Sequence, residues 1–213
     1  MKKLIIIFAA VFCLTGCANS NNPSNLEIEY FDVYNNSISE TAIKDISITF
    51  DSSLVLLNDE QNKIILEDAS KHIKNQSATN KPEVYTWYFS KSFADEYVSS
   101  INLATQSTDL SLDDLKAPNF VSESFDHIQP LLESIYSGVA LDQNSINYKK
   151  IGNLDFLTYE ITYWNNNNIK LKSMQAITII EGNQYSFLFT STNNLFDNYI
   201  DTYLDFLTKI ETI

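Results

Sequence analysis

The feature that most constrains this chain is a run of alternating segments in its last third. Residues 145–151, 154–164, 169–180 and 184–191 each alternate apolar and polar side chains or are continuously β-prone, the pattern of strands. They are separated by Gly152-Asn153, by the asparagines at 165–168 and by Gly182-Asn183. Glycine and asparagine tolerate the positive φ that tight connections need, so the run predicts a β-meander with hairpin-type turns. Thr192-Asn193-Asn194 then predicts the cap of a final helix. Its Phe196, Tyr199, Ile200, Tyr203, Phe206, Leu207 and Ile210 form a broad apolar stripe, which must lie on the sheet to be buried.

Upstream, strands are expected at 26–30, 46–50, 54–57, 84–89 and 101–107, with a turn at Asp51-Ser52-Ser53. A helix over 58–75 would be capped by Asn58, with Ile65, Ala69 and Ile73 on its apolar face and Lys71 and Lys74 near its end. Asn80-Lys81-Pro82 breaks it. Residues 93–99 suggest a helical turn, and 110–115 and 122–136 read as helices. Pro130 is awkward inside the second of these, so a kink or a start nearer Asp126 is expected, with Gly138 as its end. The expectation is an α+β fold: a single antiparallel β-sheet, a meander in its C-terminal half, with helices packed on its faces. There is no internal repeat and no second domain.

The other end of the chain reads as an address. Met1, Lys2 and Lys3 precede an apolar run from Leu4 to Leu14, too short to span a bilayer, and small residues follow. Leu14-Thr15-Gly16-Cys17 resembles the lipobox of bacterial lipoproteins. In that family the cysteine sulfur receives a diacylglycerol, the chain is cut before it, and acyl chains such as palmitate hold it to the membrane. A diacylglyceryl group puts two chains on one sulfur, which is what stable anchoring requires. The resemblance implies residues 1–16 as signal peptide, 17–25 as lipidated Cys17 plus a polar tether, and 26–213 as one extracytoplasmic domain. Cys13 would leave with the signal, so the domain has no cysteine for a disulfide and no thiol nucleophile. Losing Lys2 and Lys3 moves the formal net charge from −13 to −15. All basic residues are lysines, and such an acidic, arginine-free chain is unsuited to nucleic acid. An anionic membrane surface would also repel it, so the membrane partner is the lipid on Cys17. Abundant asparagine and isoleucine beside only four glycines and four prolines suggest an AT-rich genome, a hint of a Gram-positive cell membrane.

No catalytic motif stands out. His72 and His127 fall in separate predicted helices, and neither a His-Glu-x-x-His nor a Gly-x-Ser-x-Gly occurs. Four glycines cannot build a nucleotide loop, and no cofactor is implied. Asp109, Asp113 and Asp114 read as charges at a helix N-terminus. Asp197, Asp201 and Asp205 recur every four residues on the polar side of the last helix. That stripe is a solvated face, or alternatively a surface for a basic partner or a cation. Tyr85, Trp87, Phe89 and Trp164 are either core or a pocket lining, with burial expected for both tryptophans.

The last third carries a second resemblance. Tyr159-Glu160-Ile161-Thr162-Tyr163, the turn Glu181-Gly182-Asn183, the strand from Tyr185 to Ser191 and the helix with Phe196, Tyr199 and Phe206 resemble the PsbP-like fold. That fold is an α/β/α sandwich known from lipoproteins of the DcrB type, thylakoid PsbP proteins and a Ran-binding import factor. The segment from Ile46 to Asp51 looks like its opening strand and turn, and Leu112-Asp113-Asp114-Leu115 like the start of its middle helix. The proline and tryptophan usual after the first strand are replaced by Ser52, Ser53 and Leu54. Members of the fold are mostly non-catalytic, so the resemblance implies an accessory or binding module of the envelope. The alternatives are a lipid-tethered receptor for a small ligand or cation and, with least support, an envelope enzyme.

Overall fold

In a computed structural model of the chain, residues 38–60, 62–63, 83–95 and 98–213 are described. Cys17 and its surroundings, the strand expected at 26–30, His72 and most of the helix expected over 58–75 lie outside them; residues 59–60 and 62–63 are helical. The strands are β1 (Ser39–Ile43), β2 (Ile46–Phe50), β3 (Leu54–Leu56), β4 (Glu83–Phe89), β5 (Ser100–Ser107), β6 (Ser137–Ile151), β7 (Leu154–Trp164), β8 (Lys170–Ile180), β9 (Asn183–Thr192) and β10 (Ile210–Thr212). The helices are α1 (Leu112–Leu115), α2 (Phe120–Glu133) and α3 (Phe196–Thr208), and a short 3-10 turn, Ser90–Ala94, follows β4.

There are two sheets, not the single one expected. Seven strands in the order β3-β4-β5-β9-β8-β7-β6 form the large sheet, and β1-β2-β10 form a small one. All described pairs are antiparallel. The Asp51-Ser52-Ser53 turn is the physical reason for the division. Ser53 donates its amide to the Asp51 carboxylate at 2.8 Å, and the Leu54 amide donates to the Asp51 carbonyl at 3.1 Å. This Asx-type turn redirects the chain, so β3 leaves β2 and pairs with β4, Leu54 opposite Phe89. The third small-sheet strand comes from the C-terminus, with Ile210 opposite Ile48.

The large sheet separates two apolar cores, as period-2 alternation dictates. One face carries Tyr88, Leu157, Tyr159, Ile161, Ile177 and Leu188 and packs against Val121, Phe125, Ile128 and Leu132 of α2. The opposite face carries Trp87, Phe89, Ile101, Leu103, Phe187 and Phe189 and is covered by α3 and the small sheet. Trp87 lies 5.1 Å from Phe206 and 6.2 Å from Phe50, so helix and small sheet meet over one indole. Phe189 stacks on Tyr203 at 5.3 Å. The four buried side chains of α3, Phe196, Tyr203, Phe206 and Leu207, each contribute roughly 1.5–3 kcal/mol by leaving water.

The meander follows the sequence closely. Glu181 and Gly182 both have positive φ (47° and 73°), as a type I′ hairpin requires. Asn165 closes the β7–β8 turn by accepting the amides of Asn167 and Ile169 on its side-chain oxygen, both at 3.0 Å. Several boundaries differ. β6 begins at Ser137, ahead of the strand expected from 145, and the turn expected over 93–99 lies at Ser90–Ala94. The helix expected over 122–136 is α2, starting ten residues before Pro130 and passing through it without a break. Pro130 falls in the last turn, where few helical bonds follow it. Gly138 does not end that helix. It sits in β6 at φ +60°, and a Cβ there would stand 3.1 Å from the Trp164 ring. The N-cap of α3 is Leu195, with no side-chain bond, rather than Thr192-Asn193-Asn194.

Candidate functional site

A cleft of about 270 Å³ opens between the α1–α2 connection and the middle of β6. Its first wall follows from how α1 starts and stops. Ser111 and Asp114 form a capping box: Ser111 donates its amide to the Asp114 carboxylate at 2.7 Å and accepts the Asp114 amide at 3.3 Å. The Ser111 hydroxyl also donates to that carboxylate at 2.7 Å, and with the Ser111 amide it holds the Asp114 carboxyl below its usual range. Pro118 cannot continue the helix, and Asn119 turns the chain at φ +69° before α2 begins. Lys116 projects from this bend, 2.9 Å from Asp113.

The second wall is a bulge. The register of β6 against β7 shifts between Asp142 and Asn147. Inside the shift the Asn144 amide donates to the Asp142 carboxylate at 2.9 Å. The Ser145 hydroxyl donates to the Asp142 carbonyl and accepts the Glu160 amide, each at 2.7 Å. Ser145 thus replaces a ladder bond that the bulge removes. The displaced backbone places Gln143 and Asn147 on the rim. Leu115, Val121 and Leu157, all buried, make the floor. At one end stands Tyr148, with the Lys116 ammonium 4.8 Å from its ring centroid. The Tyr148 hydroxyl is buried; burial raises its pKa against the opposing pull of the neighbouring Lys116 ammonium. No carboxylate lines the cleft. Its polar groups are amides, hydroxyls and one ion-paired lysine, a set that can hold a molecule by hydrogen bonding.

Asp197, Asp201 and Asp205 are exposed along α3, and Asp205 pairs with Lys209 at 2.6 Å. Among the described residues no group of three or more histidine, cysteine or acidic side chains could hold a metal ion. Asp113 and Asp114 fall in the first turn of α1, as expected; Asp114 completes its cap, and Asp113 pairs with Lys116 at its end. His127 is exposed on α2. Of the four aromatics, Trp87 and Phe89 are core and Tyr85 is half-buried. Trp164 is the exception to expected burial: it is 42 % exposed, at the end of β7 beside Gly138. The other large apolar side chains left exposed among the described residues are Ile38 and Ile213. The cleft residues Lys116, Asn119, Gln143, Asn147 and Tyr148 were not expected. The signals available were the Pro118-Asn119 break between two predicted helices and the polar run at 142–145.

A second unexpected feature is a buried polar row on the α2 face of the large sheet. Thr86 donates to the Asn102 side-chain oxygen at 3.0 Å, and the hydroxyls of Tyr163, Ser173 and Thr190 form a chain with steps of 2.9 and 2.8 Å. Gln175, between Tyr159 and Leu188 on the neighbouring strands, is fully buried with neither amide atom paired.

No family model matches the chain, and neither does any curated protein. Solved structures do. Cyanobacterial PsbP (CyanoP) from Synechocystis matches at TM-score 0.57 and 9 % identity, over 85 % of this chain and 96 % of that one. LpqN, described as involved in cell envelope biogenesis of Mycobacterium tuberculosis, matches at TM-score 0.47 and 9 % identity, over 83 % and 92 %. A Pseudomonas aeruginosa protein described as a putative regulator matches at TM-score 0.44 and 8 % identity, over 80 % and 94 %. The fold is PsbP-like.

Proposed function

We propose that this chain is an extracytoplasmic lipoprotein, held to the cell membrane by lipid on Cys17, whose domain is a non-catalytic binding or accessory module of the envelope. The observation that carries the binding role is the cleft. Its lining offers amides, hydroxyls and an already paired ammonium, groups that hold a molecule without transforming it. The PsbP-like fold supports the reading only as a scaffold, since fold alone assigns no activity. The lipobox-like Leu14-Thr15-Gly16-Cys17 motivates the anchor, and no described helix is long and apolar enough to cross a membrane. The cleft also favours a second reading, a lipid-tethered receptor for a small ligand. A basic partner would meet the acidic stripe of Asp197, Asp201 and Asp205 instead.

Two measurements test this. Cys17→Ser is expected to release the protein from the membrane fraction or leave its signal uncut; normal processing and retention would refute the anchor. Cross-linking in intact cells, followed by mass spectrometry, is expected to attach an envelope component near residues 116–122 or 143–148. Attachment only elsewhere would refute the cleft as the binding surface.

A further inference from the structure

We propose that this cleft takes an uncharged sugar ring. The inference rests on the binding reading above and adds the chemical class of the ligand. Size comes first. About 270 Å³ is just below the roughly 300–1,000 Å³ typical of drug-sized ligands, so a single ring is the natural occupant. Polarity comes second. A sugar ring has an apolar C–H face and a rim of hydroxyls. The cleft has an apolar floor of Leu115, Val121 and Leu157 and a rim bearing the amides of Asn119, Gln143 and Asn147. A primary amide both donates and accepts, as a hydroxyl does, so the two rims match without a net charge on either.

Charge comes third. In a chain of net charge −13, this concavity is lined by no carboxylate. Its one cation, Lys116, is balanced by Asp113 at 2.9 Å. An anionic ligand would have to compete with Asp113, and a cationic one would find no acid in the lining. The local balance favours a neutral molecule.

The test uses the full chain in detergent micelles, with N-acetylglucosamine, glucose and inorganic phosphate as probes, read by saturation-transfer NMR. Saturation transfer to at least one of the two sugars is expected, in the millimolar range. The double variant Gln143→Ala/Asn147→Ala should weaken it by about tenfold or more. So should Ala117→Trp, which fills the cleft from an exposed position. All three positions are exposed, so unchanged circular dichroism checks that the fold is kept. No transfer to either sugar, transfer that both variants leave unchanged, or binding of phosphate alone would overturn the proposal. Cross-linking at the cleft in cells together with no sugar binding would leave the binding reading standing and remove this one.

Discussion

Tyr185 and Asp45, 140 positions apart, are joined twice. The Asp45 amide donates to the Tyr185 hydroxyl at 3.2 Å, and that hydroxyl donates to the Asp45 carboxylate at 3.1 Å. The carboxylate also accepts from the Asn183 side chain at 2.7 Å. The turn of the β1–β2 hairpin is thereby fastened to the start of β9, and one sheet to the other. Tyr185→Phe is expected to lower stability by about 1–2 kcal/mol, because a backbone donor and a carboxylate lose a partner while the ring packing stays. For a chain of this size that is a fall in melting temperature of very roughly 2–8 °C. An unchanged melting curve would mean that the Tyr185–Asp45 bonds add nothing to the hold between the two sheets.

Burial and carboxylate neighbours make the tyrosines sensitive to alkali. Burial pushes Tyr88 up to about 12, and burial with Asp95 does the same for Tyr199, whose hydroxyl lies 2.7 Å from that carboxylate. Tyr185 also rises to about 12, mainly through burial. In the unfolded chain these phenols ionise near the ordinary value of 10.0. Between pH 10 and 12 the folded state therefore binds more protons, and stability falls as pH rises through that window. The ring-carbon resonances of these three tyrosines should report ionisation late and together with loss of structure. Ionisation of Tyr88, Tyr185 or Tyr199 beginning at pH 10 in the still-folded protein, read from their assigned ring-carbon resonances, would contradict this.

Gln175 is a stability reserve. Both of its amide atoms are buried without a partner, and an unsatisfied buried polar group costs about 1–3 kcal/mol. Gln175→Met keeps the approximate shape and removes those groups. The melting temperature should rise, most directly seen by calorimetry. A fall would mean that the amide is satisfied in solution.

Two hairpin glycines separate steric from conformational need. Both have positive φ, but a Cβ on Gly182 meets nothing within 4 Å, while one on Gly152 would stand 2.7 Å from the Thr208 carbonyl oxygen. Gly182→Ala should cost on the order of 1 kcal/mol, from backbone strain alone. Gly152→Ala should cost clearly more, because the C-terminal end of α3 must also move. Chemical denaturation of both variants measures the difference, and equal losses would refute the close approach.

The three aspartates of α3 are not equivalent. Asp197 lies in the first turn, where the helix dipole favours it, and Asp205 pairs with Lys209. Asp201 stands one helical turn from each of them. Asp201→Asn should therefore raise stability by about 0.2–0.5 kcal/mol while Asp197→Asn lowers it. The same sign for both variants in thermal melts at low salt would show that the stripe is electrostatically silent.

The meander was legible because its signals are local: glycine and asparagine turns, period-2 alternation and the apolar stripe of α3 all act within a few residues. The second sheet was not. Its β10 is three residues long and pairs with a strand some 160 positions earlier, and nothing in Ile210-Glu211-Thr212 announces that partner. The same holds for Trp164. Its strand assignment was readable, but its exposure depends on its position at the end of β7, beside Gly138. The cleft was invisible because Gly138 reads as a helix end and residues 139–144 carry no strand signal, whereas they belong to a bulged strand. The aromatics weighed as core or pocket lining are largely core, since the helix expected to cover them does so, with Trp87 against Phe206 and Phe89 against Tyr199.

The pairing of β10 with β2 has a consequence for synthesis. Ribosomes make proteins from the amino terminus onward, so β1 and β2 exist long before the strand that completes their sheet. The small sheet must wait, its Ile48 without its neighbour Ile210, until residues 210–212 have been made. A product cut before Ile210 lacks that closing strand, and a nascent chain cannot complete this architecture until that point is passed.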